Sequence, residues 1–171
     1  MSAADLRAML AADQLTHLPG VHDPASAALA VRAGHRAAYL SAAAVSATML
    51  GRPDLGFAGA TQLADRAAVL VPALGGVPLL VDAPLGRDDP LYAVWTALAY
   101  QRAGISGLLL DDGDGVEVTC ARIVALVEQA PHVALIVQAG GRDIAETVTR
   151  CRAYAAAGAD AVLPTGVDES R

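Results

Sequence analysis

Short, continuous apolar runs alternate along this chain with longer amphipathic segments. The runs fall at residues 37–41, 78–82, 107–110, 133–137 and 161–163, and Leu15-Thr-His-Leu-Pro-Gly20 ahead of them reads as a short first strand and turn. A brief apolar run bounded by turn residues suits a strand buried on both faces. The segments between them carry helical periodicity and helix punctuation. Ser2 is placed to cap a helix reaching Ala12. Asp23-Pro24 and Asp89-Pro90 each set a side-chain acceptor before a proline suited to the first helical position. These two helices run to about Ala33 and Ala103. Others are predicted over 61–74, over 116–129, and from Gly140-Gly141 to Ala157. Residues 42–60 read as a long connection, and a loop of that length in a compact domain is usually functional.

One joint occurs three times. Residues 31–40, 101–110 and 155–164 each contain a helix end, an Ala-Gly stop, three further residues and then a strand. A repeated helix-to-strand joint implies parallel strands linked by crossover helices. The expected class is therefore α/β, either a (β/α) barrel or a doubly wound open sheet. A closed barrel has eight strands, so the TIM-barrel reading holds about six of the eight βα units, an incomplete barrel. The length of 171 residues fits a single domain over 1–171.

Composition narrows the function classes. Net charge is −6 and there is no basic run, which argues against nucleic acid. All twelve basic residues other than His are Arg. Without Lys there is no Schiff base, no pyridoxal-phosphate anchor and no Walker phosphate loop. Cys120 and Cys151 fall on helical patterns and read as unpaired thiols of a reducing compartment. No apolar stretch approaches the roughly 18 residues of a membrane span. The N-terminus lacks the pattern of a signal peptide, so a cytoplasmic location is expected. Trp95 reads as a packing anchor on its helix.

The candidate chemistry lies where apolar runs end in acid. Residues 78–81 lead directly to Asp82, and 107–110 lead to Asp111 and Asp112. Parallel α/β folds bind ligands beyond the carboxyl ends of their strands. Two such strands would bring carboxylates to one rim, where they suit a cation or a polar ligand.

Four segments carry a family resemblance: Pro19-Gly-Val-His-Asp-Pro-Ala-Ser-Ala, Ala38-Tyr-Leu-Ser41, Leu50-Gly-Arg-Pro-Asp-Leu-Gly56 and Leu80-Val-Asp-Ala83. They resemble the isocitrate lyase/phosphoenolpyruvate mutase superfamily, in particular its 2-methylisocitrate lyase-like members. That resemblance implies a (β/α)8 barrel, oligomeric assembly, and Mg²⁺-dependent cleavage or formation of C–C or C–P bonds in α-keto or α-hydroxy acids. By the same resemblance, Tyr39, Ser41 and the backbone amides of Ala42 and Ala43 hold the substrate carboxylate. Asp54 matches an acidic residue of a gating loop. Asp82 faces the substrate and, with Asp111, holds Mg²⁺.

Several positions depart from the family pattern. Pro84 stands where the family has a second Mg²⁺-binding Asp, and proline offers only its carbonyl. Asp111 replaces a Glu. A mobile loop bearing the family's general-acid Cys is missing after residue 112. Ala139 and Thr165 stand where Arg and Glu are expected. Loss of a positioned general acid costs about 10²–10⁴-fold in rate. The expectation is thus a relative of a C–C lyase whose activity is weak or lost. The alternative is an inactive remnant that serves as a binding or assembly partner. The expected partners are a small carboxylic acid and either copies of itself or a full-length relative.

Overall fold

A computed structural model describes residues 3–84, 89–113 and 115–166. Ser2, expected to cap the first helix, and Asp114 of the acidic turn lie outside the described residues. Five strands form one parallel sheet: β1 (Ala38–Leu40), β2 (Leu79–Asp82), β3 (Gly107–Asp111), β4 (Ala134–Gly140) and β5 (Ala161–Thr165). They lie side by side in chain order. A doubly wound sheet reverses its strand order at a switch point, whereas a barrel wall does not. The order therefore selects the barrel type.

Among the described residues the α-helices are α1 (Ala3–Ala11), α2 (Pro24–Arg32), α3 (Ala42–Val45), α4 (Ala60–Ala73), α5 (Pro90–Arg102), α6 (Val116–Gln129) and α7 (Ile144–Ala157). Their starts follow from the sequence. The Asp23 carboxylate accepts from the Ser26 amide at 2.7 Å, and the Ser26 hydroxyl accepts from the Asp23 amide at 3.1 Å, a reciprocal cap. Asp89 accepts from the Leu91 amide at 2.8 Å, and Asp143 from the Glu146 amide at 2.8 Å. The repeated Ala-Gly joint works through a left-handed stop. At Gly104 φ is +83°, and a Cβ there would meet Val71 at 3.0 Å.

Strand alternation divides the core into two layers. Leu40, Leu79, Val81, Leu108, Leu110, Leu135 and Val137 point one way and are buried against the helices. Leu80, Ala134 and Ile136 point the other way, where they pack with Ala3 and Leu6 of α1. The approach of α1 is close, since a Cβ on Gly107 would meet Leu6 Cδ2 at 2.5 Å. Arg7 fixes the helix there. Its guanidinium donates to Asp160 at 2.8 Å and to the carbonyls of Pro131 and Val133 at 3.0 Å each. These partners precede β4 and β5, so α1 covers the end of the sheet where strands begin.

Four expectations need correction. The first strand expected at 15–20 enters the sheet only as an isolated parallel bridge between Gly20 and Tyr39. Pro19 lacks a donor, and Leu15 is 81% exposed, so neither ladder nor burial extends it. The connection 42–60 opens with α3 and a π turn over Ser46–Leu50 that ends at Gly51, φ +60°. Gly140, expected in a turn, is the last residue of β4. Trp95 is 67% exposed beside exposed Leu91 and Tyr92, so it anchors no packing within the described residues.

Candidate functional site

The carboxyl ends of β1, β2, β3 and β4 surround a cleft of about 210 Å³ lined by Tyr39, Ala42, Asp82, Asp111 and Gln138, with Ala83, Pro84 and Leu109. The register explains this grouping. Asp82 pairs with Leu109 and Asp111 with Gln138, so Asp82, Leu109, Asp111 and Gln138 share the inner face. The two acids expected at one mouth do meet there.

Asp82 is the most constrained of them. Its Oδ2 accepts from the Ala42 amide at 2.8 Å, and its Oδ1 accepts from the Tyr39 hydroxyl. The Tyr100 hydroxyl, reaching from α5, donates to the Asp82 carbonyl at 2.9 Å and fixes the strand end. Burial pushes the Asp82 carboxyl above its ordinary value. The two donors act against that shift, and the charges of Asp54 and Asp111 add to it. The Tyr39 hydroxyl is also pushed up, first by burial and then by its bond to Asp82.

The other expected site residues divide. Ser41 lies at the rim, but its hydroxyl caps α3 by accepting from the Ala44 amide at 3.0 Å. Ala43 is exposed in the first turn of α3. Asp54 is exposed in a turn of its own, where Oδ1 accepts from the Gly56 amide at 3.2 Å, and it reaches the site only through its charge. Asp111 is exposed on the cleft, with Oδ1 accepting from the Gly113 amide at 3.0 Å. Asp112, its neighbour, points away from the cleft. It is 7% exposed and is bound by Arg150 and Tyr154 of α7 at 3.0 Å each.

One polar residue of the cleft, Gln138, and one behind it, Tyr100, lie outside the set of expected site residues. Gln138 stands one strand over from Asp111, a position that counting by twos from the buried Ile136 would have found. Tyr100 lies in a helix and acts through the backbone of Asp82, and no spacing rule marks it.

The donor set admits a hard cation. Magnesium keeps several waters and is often held by one or two carboxylates, with the ligand's own oxygens completing the shell. Asp82 and Asp111 fit that description. Among the described residues no third His, Cys, Asp or Glu joins them. Pro84 lines the cleft with a carbonyl as its sole polar group.

A parallel barrel-type wall, with a carboxylate and an amide donor facing a second carboxylate at its C-terminal rim, defines an α/β protein of the barrel type with a polar cleft at that rim. The family follows from comparison. The chain belongs to the phosphoenolpyruvate phosphomutase family, whose profile matches residues 6–171, within the isocitrate lyase/phosphoenolpyruvate mutase superfamily. It is 31% identical to a 2-methylisocitrate lyase of Bacillus subtilis over 95% of this chain and 59% of that protein. A crystal structure of 2,3-dimethylmalate lyase matches with a TM-score of 0.89 at 26% identity, over 98% of this chain and 62% of the other. Oxaloacetate acetylhydrolase in complex with its product oxalate matches with a TM-score of 0.84 at 29% identity, over 96% and 63%. The chain thus spans about three fifths of the length of the relatives it matches. No helix of the described residues is long and apolar enough to cross a membrane.

Proposed function

We propose that the chain binds a small α-keto or α-hydroxy carboxylic acid at the rim cleft together with Mg²⁺, and that its carbon–carbon lyase activity is weak or lost. One observation carries this reading: the Tyr39 hydroxyl, the Ala42 amide, Asp82 and Asp111 converge on one cleft. Asp82 and Asp111 are the residues that would hold Mg²⁺. When bound there, the ion would polarise the carbonyl of the acid. The chain's own groups supply binding and orientation: the Ala42 amide and Tyr39 hydroxyl face a carboxylate, and Gln138 offers a neutral amide beside Asp111.

The weak or lost activity rests on the groups around the cleft. Asp54, the acidic residue matched to a gating loop, sits exposed in a turn whose geometry engages its own carboxylate. From Asp112 the chain enters α6 by residue 116, with no room for a mobile acid-bearing loop. The alternative reading is an inactive member that binds or assembles. It is favoured by Pro84 at the cleft wall and by β5, whose inner-facing Leu163 is 45% exposed on the edge strand. Self-association or pairing with a full-length relative would cover that edge.

Calorimetric titration with pyruvate or oxalate plus Mg²⁺ tests the ligand reading. Binding is expected at millimolar ligand, and its absence would defeat the proposal. Turnover of methylisocitrate at rates ordinary for a lyase, measured beside the oligomeric mass, would overturn the claim of weak activity.

A further inference from the structure

Asp82 binds to the donors that its own ligand would need. The reading above assigns the Ala42 amide and Tyr39 hydroxyl to a carboxylate, and both are already engaged by a carboxylate from within the chain. Oδ2 of Asp82 takes the amide at 2.8 Å and Oδ1 takes the hydroxyl, one donor for each oxygen. This is the arrangement by which a free carboxylate would be held by two convergent donors. The Ser41 hydroxyl, adjacent to Ala42 in the chain, is committed elsewhere, since it accepts from the Ala44 amide. The Asp82 backbone is fixed independently by Tyr100, so release of the side chain need not disturb the strand. The cleft beside it, with Asp111 across the opening, provides space for a released side chain.

We infer that the Tyr39 hydroxyl and Ala42 amide form a carboxylate subsite that Asp82 itself fills, so that a carboxylic acid enters by displacing Asp82. The inference rests on the carboxylic-acid reading of the cleft and adds an internal competitor to it. A site whose competent state is only a fraction of the population shows an affinity reduced by that fraction. Removing the competitor therefore raises affinity, the opposite of what loss of an ordinary binding residue does.

The test is titration of oxalate, in EDTA, into the whole chain and its Asp82→Ala and Asp82→Asn variants. Asp82→Ala is expected to bind oxalate at least about tenfold more tightly than wild type. Asp82→Asn is expected in between, because its carboxamide keeps one acceptor oxygen for the Ala42 amide while losing the charge. An Ala variant no tighter than wild type overturns the inference. So does an Asn variant equal to Ala, which would reduce the effect to charge repulsion. The Ala42 amide resonance of the wild-type chain gives a readout that needs no substitution. It is expected to shift as oxalate replaces Asp82, and an unmoved resonance at saturating oxalate overturns the displacement. If neither wild type nor variant binds oxalate even with Mg²⁺, the carboxylic-acid reading falls as well. Binding by wild type without tightening in the Ala variant defeats the displacement alone.

Discussion

Asp111 ends β3 with its side chain exposed on the rim cleft, whereas Asp112, the next residue, is buried beneath α7. The two share a residue type and an apolar run. They differ in side, because successive strand residues point to opposite faces. Asp111 meets solvent and the cleft. Asp112 accepts from the Gly140 amide at 3.3 Å, from Arg150 Nη1 at 3.0 Å and from the Tyr154 hydroxyl at 3.0 Å. Burial first, and then the bond to Asp112, pushes the Tyr154 hydroxyl up to about 12. Asp112 thus ties β3, the end of β4 and α7 together, and Asp111 remains available. An acidic pair at a strand end holds one candidate ligand and one fastener, and alternation decides which is which.

The largest test of that contrast is Asp112→Ala. Removing Asp112 takes the acceptor from the Tyr154 hydroxyl and the Gly140 amide and leaves Arg150 with Glu146 alone, so a loss of about 3 kcal/mol is expected in urea unfolding. A loss below about 1 kcal/mol, the range of surface ion pairs, would break the comparison. Asp111→Ala should do the reverse. Its stability change should stay within about 0.5 kcal/mol, as for exposed positions without packing. Its affinity for oxalate with Mg²⁺ should fall at least about tenfold, equivalent to 1.4 kcal/mol. Equal effects of the two substitutions on folding and binding would mean that strand alternation does not separate their roles.

The same alternation explains how much of the molecule was legible from residues alone. Continuous apolar runs ending in acid reported the parallel strands and the shared mouth of Asp82 and Asp111, because burial on both faces excludes polar residues until the strand emerges. The Ala-Gly joints reported the crossovers for an equally local reason. The expected first strand at 15–20 misled because Leu15 and Leu18 are too few to bury it and Pro19 withholds a ladder donor. Ser41 before an Ala-rich stretch is a readable helix start, and the expected loop at 42–60 overlooked it. Tyr39 and Asp82 are 43 residues apart, and their bond belongs to the register of β1 on β2 rather than to any spacing. That bond turned a residue assigned to the ligand into a partner of Asp82.

The smallest expected effect concerns the rim of the Asp112 network. Glu146 accepts from Arg142 Nε and from Arg150 Nη2 at 2.9 Å each, and these bonds, that to Arg142 first, hold its carboxyl at about 2, against an ordinary 4.5. A carboxyl lowered on folding contributes stability that is fully present above its unfolded value and fades as the pH falls through its folded one. The contribution should therefore persist above about pH 4.5 and disappear toward pH 2. Glu146→Gln should flatten the pH dependence of thermal unfolding in that window and leave its shape near neutrality unchanged. Because Arg150 bridges Glu146 to Asp112, the Asp112→Ala background should weaken this acid response while Asp111→Ala leaves it intact. An identical response in both backgrounds would show that the exposed pair acts alone and that the fastener stops at Arg150.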